Sequence, residues 1–257
     1  MTEDGSKHID LQRETYGNLK GLPYSYAVLP WGATEPHNYH LPYLTDCYLA
    51  HDIAVDAVGK AWSEYGVKGM VLPPIPLGAQ NPGQRELPFC LHTRYETQTH
   101  ILHDIVESLD YQGIRILVIM NGHGGNNFKP MIRDLRIDYP QMLIVNCDWF
   151  AVEPQTGYFE NKDDHAGEME TSVMMYYHPG LVNLETAGDG ASRPFNIESL
   201  DSKVGWVPRN WAKTTIDTGV GDPGKSSAEK GKFFAGVVTG KIAKLFGELV
   251  NKGFTCL

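Results

Sequence analysis

Ile114–Asn126, IRILVIMNGHGGN, decides the fold. Its first seven residues are apolar apart from Arg115, with no polar alternation, the mark of a strand buried on both faces as in a parallel sheet. The strand then breaks into a glycine-rich turn with His123 at its centre. Before it, Thr93 to about Gln112 reads as a helix, with Leu102, Ile105 and Leu109 on one face and Thr93 and Glu96 as its capping box. After it come a helix to about Asp138, stopped near Pro140, and a strand at Met142–Val145. Further out, Tyr24–Pro30 reads as a strand. A helix runs from Thr45 to about Tyr65, with Leu49, Ile53, Ala57 and Ala61 at steps of four. Val67–Leu72 is a short strand ended by Pro73 and Pro74. Towards the C-terminus, His165–Tyr177 is helical, Pro179–Thr218 is irregular, and Ser226 with Glu229 opens a last helix to about Asn251. Strand–helix alternation of this kind gives an α/β fold with a mainly parallel sheet, a single domain over residues 1–257.

Composition narrows the function. The 22 Lys and Arg against 31 Asp and Glu leave 257 residues with a net charge of −9. Neutralising a row of phosphates needs clustered Lys and Arg, so this balance argues against a nucleic-acid module. No apolar run approaches the ~20 residues needed to cross a bilayer. The acidic Met1–Asp4 lacks the basic and apolar regions of a signal peptide. Cys47, Cys90, Cys147 and Cys256 form no CxxC pair and fit a reducing cytoplasm.

Three strands run straight into polar loops, and ligands of open α/β sheets bind beyond the carboxyl ends of the strands. The loop Trp31–His40 carries Glu35, His37 and His40, with Asp46 at the start of the next helix. Glu35 and His37 are two apart, so in extended chain they point the same way with Cα atoms roughly 6.5 Å apart. That suits neighbouring metal ions about 3.5–4 Å apart, with Asp46 able to bridge them. The alternative is a solvated loop with Asp46 favourable in a first helical turn. His123 is a candidate metal ligand, and its flanking glycines allow close backbone approach. In Asp164–Ser172, helical spacing puts His165, Glu168 and Ser172 on one face, while Glu170 points elsewhere by about 200°. Gly219–Ser226 fits the P-loop pattern GxxxxGK[ST]. Its upstream residues AKTTIDT are too polar for a buried strand, however, and Pro223 removes an N–H from the cradle.

LPWGATEPHNYHLPYLTD (Leu29–Asp46), NGHGGN (Asn121–Asn126) and DDHAGEMETS (Asp163–Ser172), with Gly221-Asp222-Pro223 and Glu229-Lys230-Gly231, together resemble the creatininase family of metal-dependent amide hydrolases. The resemblance implies a three-layer fold and a metal-activated water attacking a C–N amide bond, in creatinine or another small amide. It implies two divalent ions (Zn, Mn or Fe), one held by Glu35, Asp46 and His123, the other by His37, Asp46 and a further carboxylate. Creatinine-hydrolysing members carry that carboxylate where this chain has Gly125, and Glu168 is the expected replacement. Two divalent cations facing three carboxylates and a hydroxide are neutral, as a buried site requires. His165 falls on the family's catalytic histidine, with Asp164 beside it to hold its protonated form. Trp149, Gly124 and Gly125 are the expected substrate-binding residues, and His40 is the expected support for His37 or a ligand carboxylate. Formamide deformylases of aminopyrimidine ribosyl phosphates and cofactor-maturation peptidases share these motifs. A metal- or metabolite-binding protein without turnover is the reading from another class. The resemblance further implies a homo-oligomer, a hexamer, acting on a small-molecule amide, and the cysteine usage adds a cytoplasmic location.

Overall fold

The computed structural model describes residues 8–161 and 164–253. Met1–Asp4, Asp163 and Cys256 lie outside the described residues. Four parallel strands, β1 (Tyr26–Trp31), β2 (Gly69–Val71), β3 (Ile116–Asn121) and β4 (Leu143–Asp148), form one sheet in the order β2-β1-β3-β4. Every residue of β1 and β3 is buried. The pleat sends alternate side chains to opposite faces. Tyr26, Val28, Ile116, Val118 and Met120 pack with helices α2 (Thr45–Tyr65), α5 (Glu168–Tyr177) and α8 (Ala228–Lys252). Ala27, Leu29, Trp31, Leu117 and Ile119 pack with α3 (Tyr95–Tyr111) and α4 (Lys129–Asp138). Helices therefore cover both faces, and the fold has three layers. Short helices α1 (Tyr16–Leu19), α6 (Glu198–Asp201) and α7 (Trp211–Thr214) decorate the surface. No helix among the described residues is long and apolar enough to cross a membrane.

The chain leaves β1 for β2 on one side, then returns past β1 to β3 on the other. Strand order thus reverses between β1 and β3, where a crevice opens beyond their carboxyl ends. Both strands exit into glycine. A Cβ on Gly32 would lie 2.7 Å from Asp46 Cβ, and one on Gly122 would lie 2.3 Å from the Asp46 carbonyl oxygen. Only glycine lets the first turn of α2 rest on both strand ends, and this brings Asp46 over the crevice.

Helix entries differ from the sequence reading in three places. The N-cap of α3 is Arg94 with no side-chain capping bond, and the Thr93 N–H donates to the Gly78 carbonyl. Ser227, not Ser226, caps α8, and Ser226 Oγ donates to the Glu168 carbonyl instead. α5 begins at Glu168, so His165 is not on that helix; it pairs in extended chain with Val220, and Ala166 has φ +53°. Among the described residues, α7 and a loop rather than a strand lead into Gly219–Ser226, which removes the structural context of a P-loop.

α5 and α8 cross at Gly231, where a Cβ would sit 1.9 Å from the Ser172 carbonyl oxygen. Alanine is normally the better helix former by about 1 kcal/mol, but a forced clash costs about 1–3 kcal/mol. Gly231→Ala should therefore destabilise the protein. Gly236→Ala, on the same helix with nothing within 4 Å of its Cβ, should stabilise it slightly. Urea unfolding of both variants checks this, and equal shifts would contradict the crossing.

Candidate metal centre

β1 runs on to Glu35 and His37, β3 delivers His123, α2 supplies Asp46, and the first turn of α5 supplies Glu170. All five are buried. Asp46 stands in the middle. Its Oδ1 is 3.0 Å from His37 Nε2, and its Oδ2 is 3.2 Å from His123 Nδ1. Glu35 Oε1 lies 2.9 Å from His123 Nδ1, and Glu170 Oε1 lies 3.8 Å from His37 Nε2. Three overlapping groups of ligand-type atoms result, Glu35–Asp46–His123, His37–Asp46–Glu170 and Glu35–His37–His165, each compact enough to hold a metal ion, and Asp46 belongs to the first two.

Hydrogen bonding fixes which ring nitrogen faces the cluster. His37 Nδ1 meets the Glu35 carbonyl oxygen at 3.0 Å, and His123 Nε2 meets the Ala79 carbonyl oxygen at 2.9 Å. A carbonyl only accepts, so those nitrogens carry hydrogen. In the neutral rings, His37 Nε2 and His123 Nδ1 then turn lone pairs towards carboxylates. Glu35 Oε1 and Asp46 Oδ2 are buried and accept no hydrogen bond. Positive charge has to lie between these groups. Metal-ligating histidines are held in the same way, with the second N–H on a backbone carbonyl.

The titration behaviour agrees. Burial favours neutral His37, but Asp46, Glu170 and Glu35 outweigh it and lift its pKa to about 10. His123 is also raised well above the ordinary value, because Glu35 and Asp46 overcome burial. Burial penalises the Glu35 and Asp46 carboxylates, yet the imidazoles beside them hold both below the usual range. His165 goes the other way: burial and the charge of His37 lower its pKa. Its Nε2 donates to the Pro36 carbonyl at 2.9 Å, and its Nδ1 faces Glu35 Oε1 at 3.8 Å. The ring stacks on His37 with centroids 4.2 Å apart.

The expected residues Glu35, His37, Asp46, His123 and His165 thus meet at one place. Glu168 does not join them. It is fully buried on the opposite side of α5, where Oε1 accepts from Lys230 Nζ at 2.6 Å and Oε2 accepts from the Glu160 and Asn161 N–H groups. Glu170, about 200° round the helix, faces the cluster instead, and its Oε2 accepts from the Ala166 N–H at 2.6 Å. Asp164 does not hold the His165 ring; its carboxylate accepts from Arg209 Nη2 at 2.6 Å. Trp149 is fully buried in the core between the sheet and α5. Trp206 and Trp211 line the larger cavity beside Glu35 and His123, and Phe150, the residue after Trp149, lines a smaller one bounded by Asp46, His165 and Glu170. His40 touches neither His37 nor a ligand carboxylate; it bonds Thr171 Oγ1 at 2.8 Å, and burial lowers its pKa to about 4.

Gly124 and Gly125 line the cavity of about 560 Å³ that opens beside Glu35 and His123. A Cβ at Gly125 would lie 2.1 Å from the Ala79 carbonyl oxygen, the group that accepts from His123. The chain therefore has no room for a carboxylate there. Gln84, which the sequence reading passed over, donates its side-chain N–H to Glu35 Oε2 and leaves Oε1 to face the cluster.

The family model for creatinine amidohydrolase, Creatininase, matches residues 17–246, and the chain belongs to that family of amidohydrolases. The crystal structure of a candidate creatinine amidohydrolase from Bacteroides fragilis superposes with a TM-score of 0.94 at 60% identity, over 95% of this chain and 97% of that one. A mycofactocin precursor peptide peptidase of Mycobacterium tuberculosis is 29% identical over 82% of this chain and 80% of its own. The creatinine amidohydrolase of Pseudomonas putida is 26% identical over 86% of this chain and 88% of its own. Creatininases described in a Zn–Zn form and with Mn share the fold at TM-scores of 0.76 and 0.74.

Two outcomes follow. Glu170→Gln should lower the metal content of the purified protein, whereas Glu168→Gln should keep it and lower the melting temperature through loss of the Lys230 pair. Elemental analysis and a melting curve on both variants decide this, and metal loss confined to Glu168→Gln would contradict the geometry. In the chelator-treated protein, the proton on His37 stabilises the fold fully below its ordinary pKa of 6.5. That contribution is lost as pH rises through about 10. The urea midpoint of metal-free protein should fall between neutral pH and about 10, and a rising midpoint would contradict it.

Proposed function

We propose that the protein hydrolyses a C–N amide bond with two divalent ions, one held by Glu35, Asp46 and His123 and the other by His37, Asp46 and Glu170. The observation that carries this reading is the position of Asp46, whose two oxygens face the two histidines while Oδ2 accepts no hydrogen bond. The residues fit such ions. Three buried carboxylates oppose imidazoles whose outer N–H groups are already committed, and mixed oxygen and nitrogen donors suit zinc, manganese or iron. Bound there, the ions supply acidity to water near neutral pH and polarise a carbonyl oxygen.

The chain's own groups do the rest. Glu35 is fixed by Gln84, so one oxygen is always presented to the centre. His165 is held by the Pro36 carbonyl, burial and the charge of His37 favour its neutral form, and its Nδ1 is turned inwards. That nitrogen takes the proton released as water attacks the carbonyl carbon and returns it to the departing nitrogen as the C–N bond breaks. Gly124 and Gly125 offer backbone without side chains at the cavity wall, which lets a flat amide approach. The glycine at 125 argues for a small amide or a peptide-like substrate over creatinine itself, since the carboxylate of the creatinine-hydrolysing members has no place there.

The proposal includes a cytoplasmic homo-oligomer. Cys47, Cys90 and Cys147 are free and buried, as suits a reducing compartment. Phe89 and Tyr111 are more than four-fifths exposed, which suits coverage by a further subunit.

The test pairs metal with turnover. A metal-replete screen of lactams, formamides and short peptides should find a hydrolysed amide, with activity lost on chelation and restored by zinc or manganese. His165→Ala should keep its metal yet lose roughly 10²–10⁴-fold in kcat. Activity that survives complete metal removal overturns the reading, and unchanged turnover in His165→Ala removes that residue from the chemistry.

A further inference from the structure

Among the described residues, the cavity beside the ligand cluster has one guanidinium in its wall, that of Arg209, and no ammonium side chain. Arg209 is built in rather than draped over the surface. Its guanidinium lies 4.7 Å over the Trp211 ring, and Trp211 is itself buried, edge-on to His165 with centroids 5.3 Å apart. The ring contact steadies the fork, and one nitrogen, Nη2, donates to Asp164 Oδ2 at 2.6 Å. A guanidinium has five N–H donors in fixed directions, so most remain for a ligand in the cavity. The same residue also lines a second, outer cavity of about 840 Å³, which shares Asp164, Trp206 and Val207 with the first and adds Arg193 and Lys203. Neither Arg193 nor Lys203 forms an ion pair among the described residues. In a chain of net charge −9, the walls of these two adjoining cavities thus carry three cations, Arg193, Lys203 and Arg209, beside the carboxylates of Asp164 and Asp201.

We infer that the substrate is an anionic amide, with a carboxylate or phosphate received by Arg209 while its scissile bond lies at the metal cluster. This rests on the proposed amide hydrolysis for the orientation of the substrate. The anion site itself stands on Arg209, Trp211 and the shared cavities. A planar fork matches the paired oxygens of either anion and binds them bidentately. Asp164 is the intramolecular competitor: it neutralises Arg209 in the free protein and must share the guanidinium when an anion arrives. An uncharged lactam would gain nothing from this wall.

Binding is read separately from turnover, by the tryptophan fluorescence of the metal-replete protein, since Trp206 and Trp211 both line the cavity. The probes are N-acetylglycine, N-acetylglycine methylamide and N-acetyl-O-phosphoethanolamine, which present a carboxylate, no charge and a phosphate on comparable amides. The wild-type protein should bind one of the anionic probes at least about tenfold more tightly than the methylamide, as a charged hydrogen bond implies. The preferred anion identifies the source. Arg209→Gln should abolish the preference, and Arg209→Lys should restore only part of it, because an ammonium lacks the fork. Asp164→Asn should tighten anion binding by freeing the guanidinium. If the pair only braces the loop, Asp164→Asn and Arg209→Gln would weaken binding alike, and the inference fails. Equal affinity for all three probes in the wild-type protein also overturns it. Absence of turnover with the preference intact would count against amide hydrolysis and leave the anion site standing.

Discussion

Buried negative charge facing committed imidazoles is the constraint on which this molecule turns. Glu35, Asp46 and Glu170 are all more than nine-tenths buried, and isolated carboxylates in such surroundings are costly. The histidines opposite cannot relieve them as neutral donors, because the N–H groups of His37 and His123 are directed away to backbone carbonyls. Cations must fill the space. In the metal-free chain protons serve, which is why His37 and His123 hold theirs so strongly. Two divalent ions would serve better, and their entry would expel those protons.

The rest of the fold can be understood as the means of keeping that arrangement rigid. β1 and β3 lie side by side with Trp31 opposite Asn121, so the loops that follow emerge together. Gly32 and Gly122 let α2 settle on those ends, and Asp46 rides on its first turn. The segment carrying Ala79 and Gln84 closes the ring from a third side, accepting from His123 through one residue and donating to Glu35 through the other. α5 is fixed from behind by Glu168, whose buried carboxylate joins Lys230 of α8 and the backbone of Glu160 and Asn161. A carboxylate on the wrong side of the helix for metal is thus what sets the right side in place.

Much of this was legible in the sequence because it depends on local pattern. The buried run of β3, the four-residue steps of α2 and the polar loops at strand ends are properties of short stretches, and they located Glu35, His37, Asp46 and His123, while the family resemblance supplied His165. What failed depends on the arrival of distant chain. Glu168 and Glu170 are both acidic and both in the first turn of α5, and only one can face the crevice. The choice is made by Lys230, sixty-two residues away from Glu168 in sequence. Reading the helix from His165 instead of Glu168 favoured the wrong carboxylate, since the positive φ at Ala166 that ends the extended segment leaves no periodic trace. Asp164 was assigned to its neighbour His165 and is instead drawn off by Arg209. Trp149 was drawn in by its place after β4, but that strand end turns its side chain into the core, and Trp206 and Trp211 reach the cavity from an irregular segment without periodicity.

The central claim is that Asp46 is shared by two cations, with Glu170 completing the second. X-ray diffraction from zinc-loaded crystals, recorded on both sides of the zinc absorption edge, tests it directly. The account predicts two anomalous peaks flanking the Asp46 carboxylate, one against Glu35 and His123 and the other against His37 and Glu170. A single peak, or a second peak against Glu168, would contradict it.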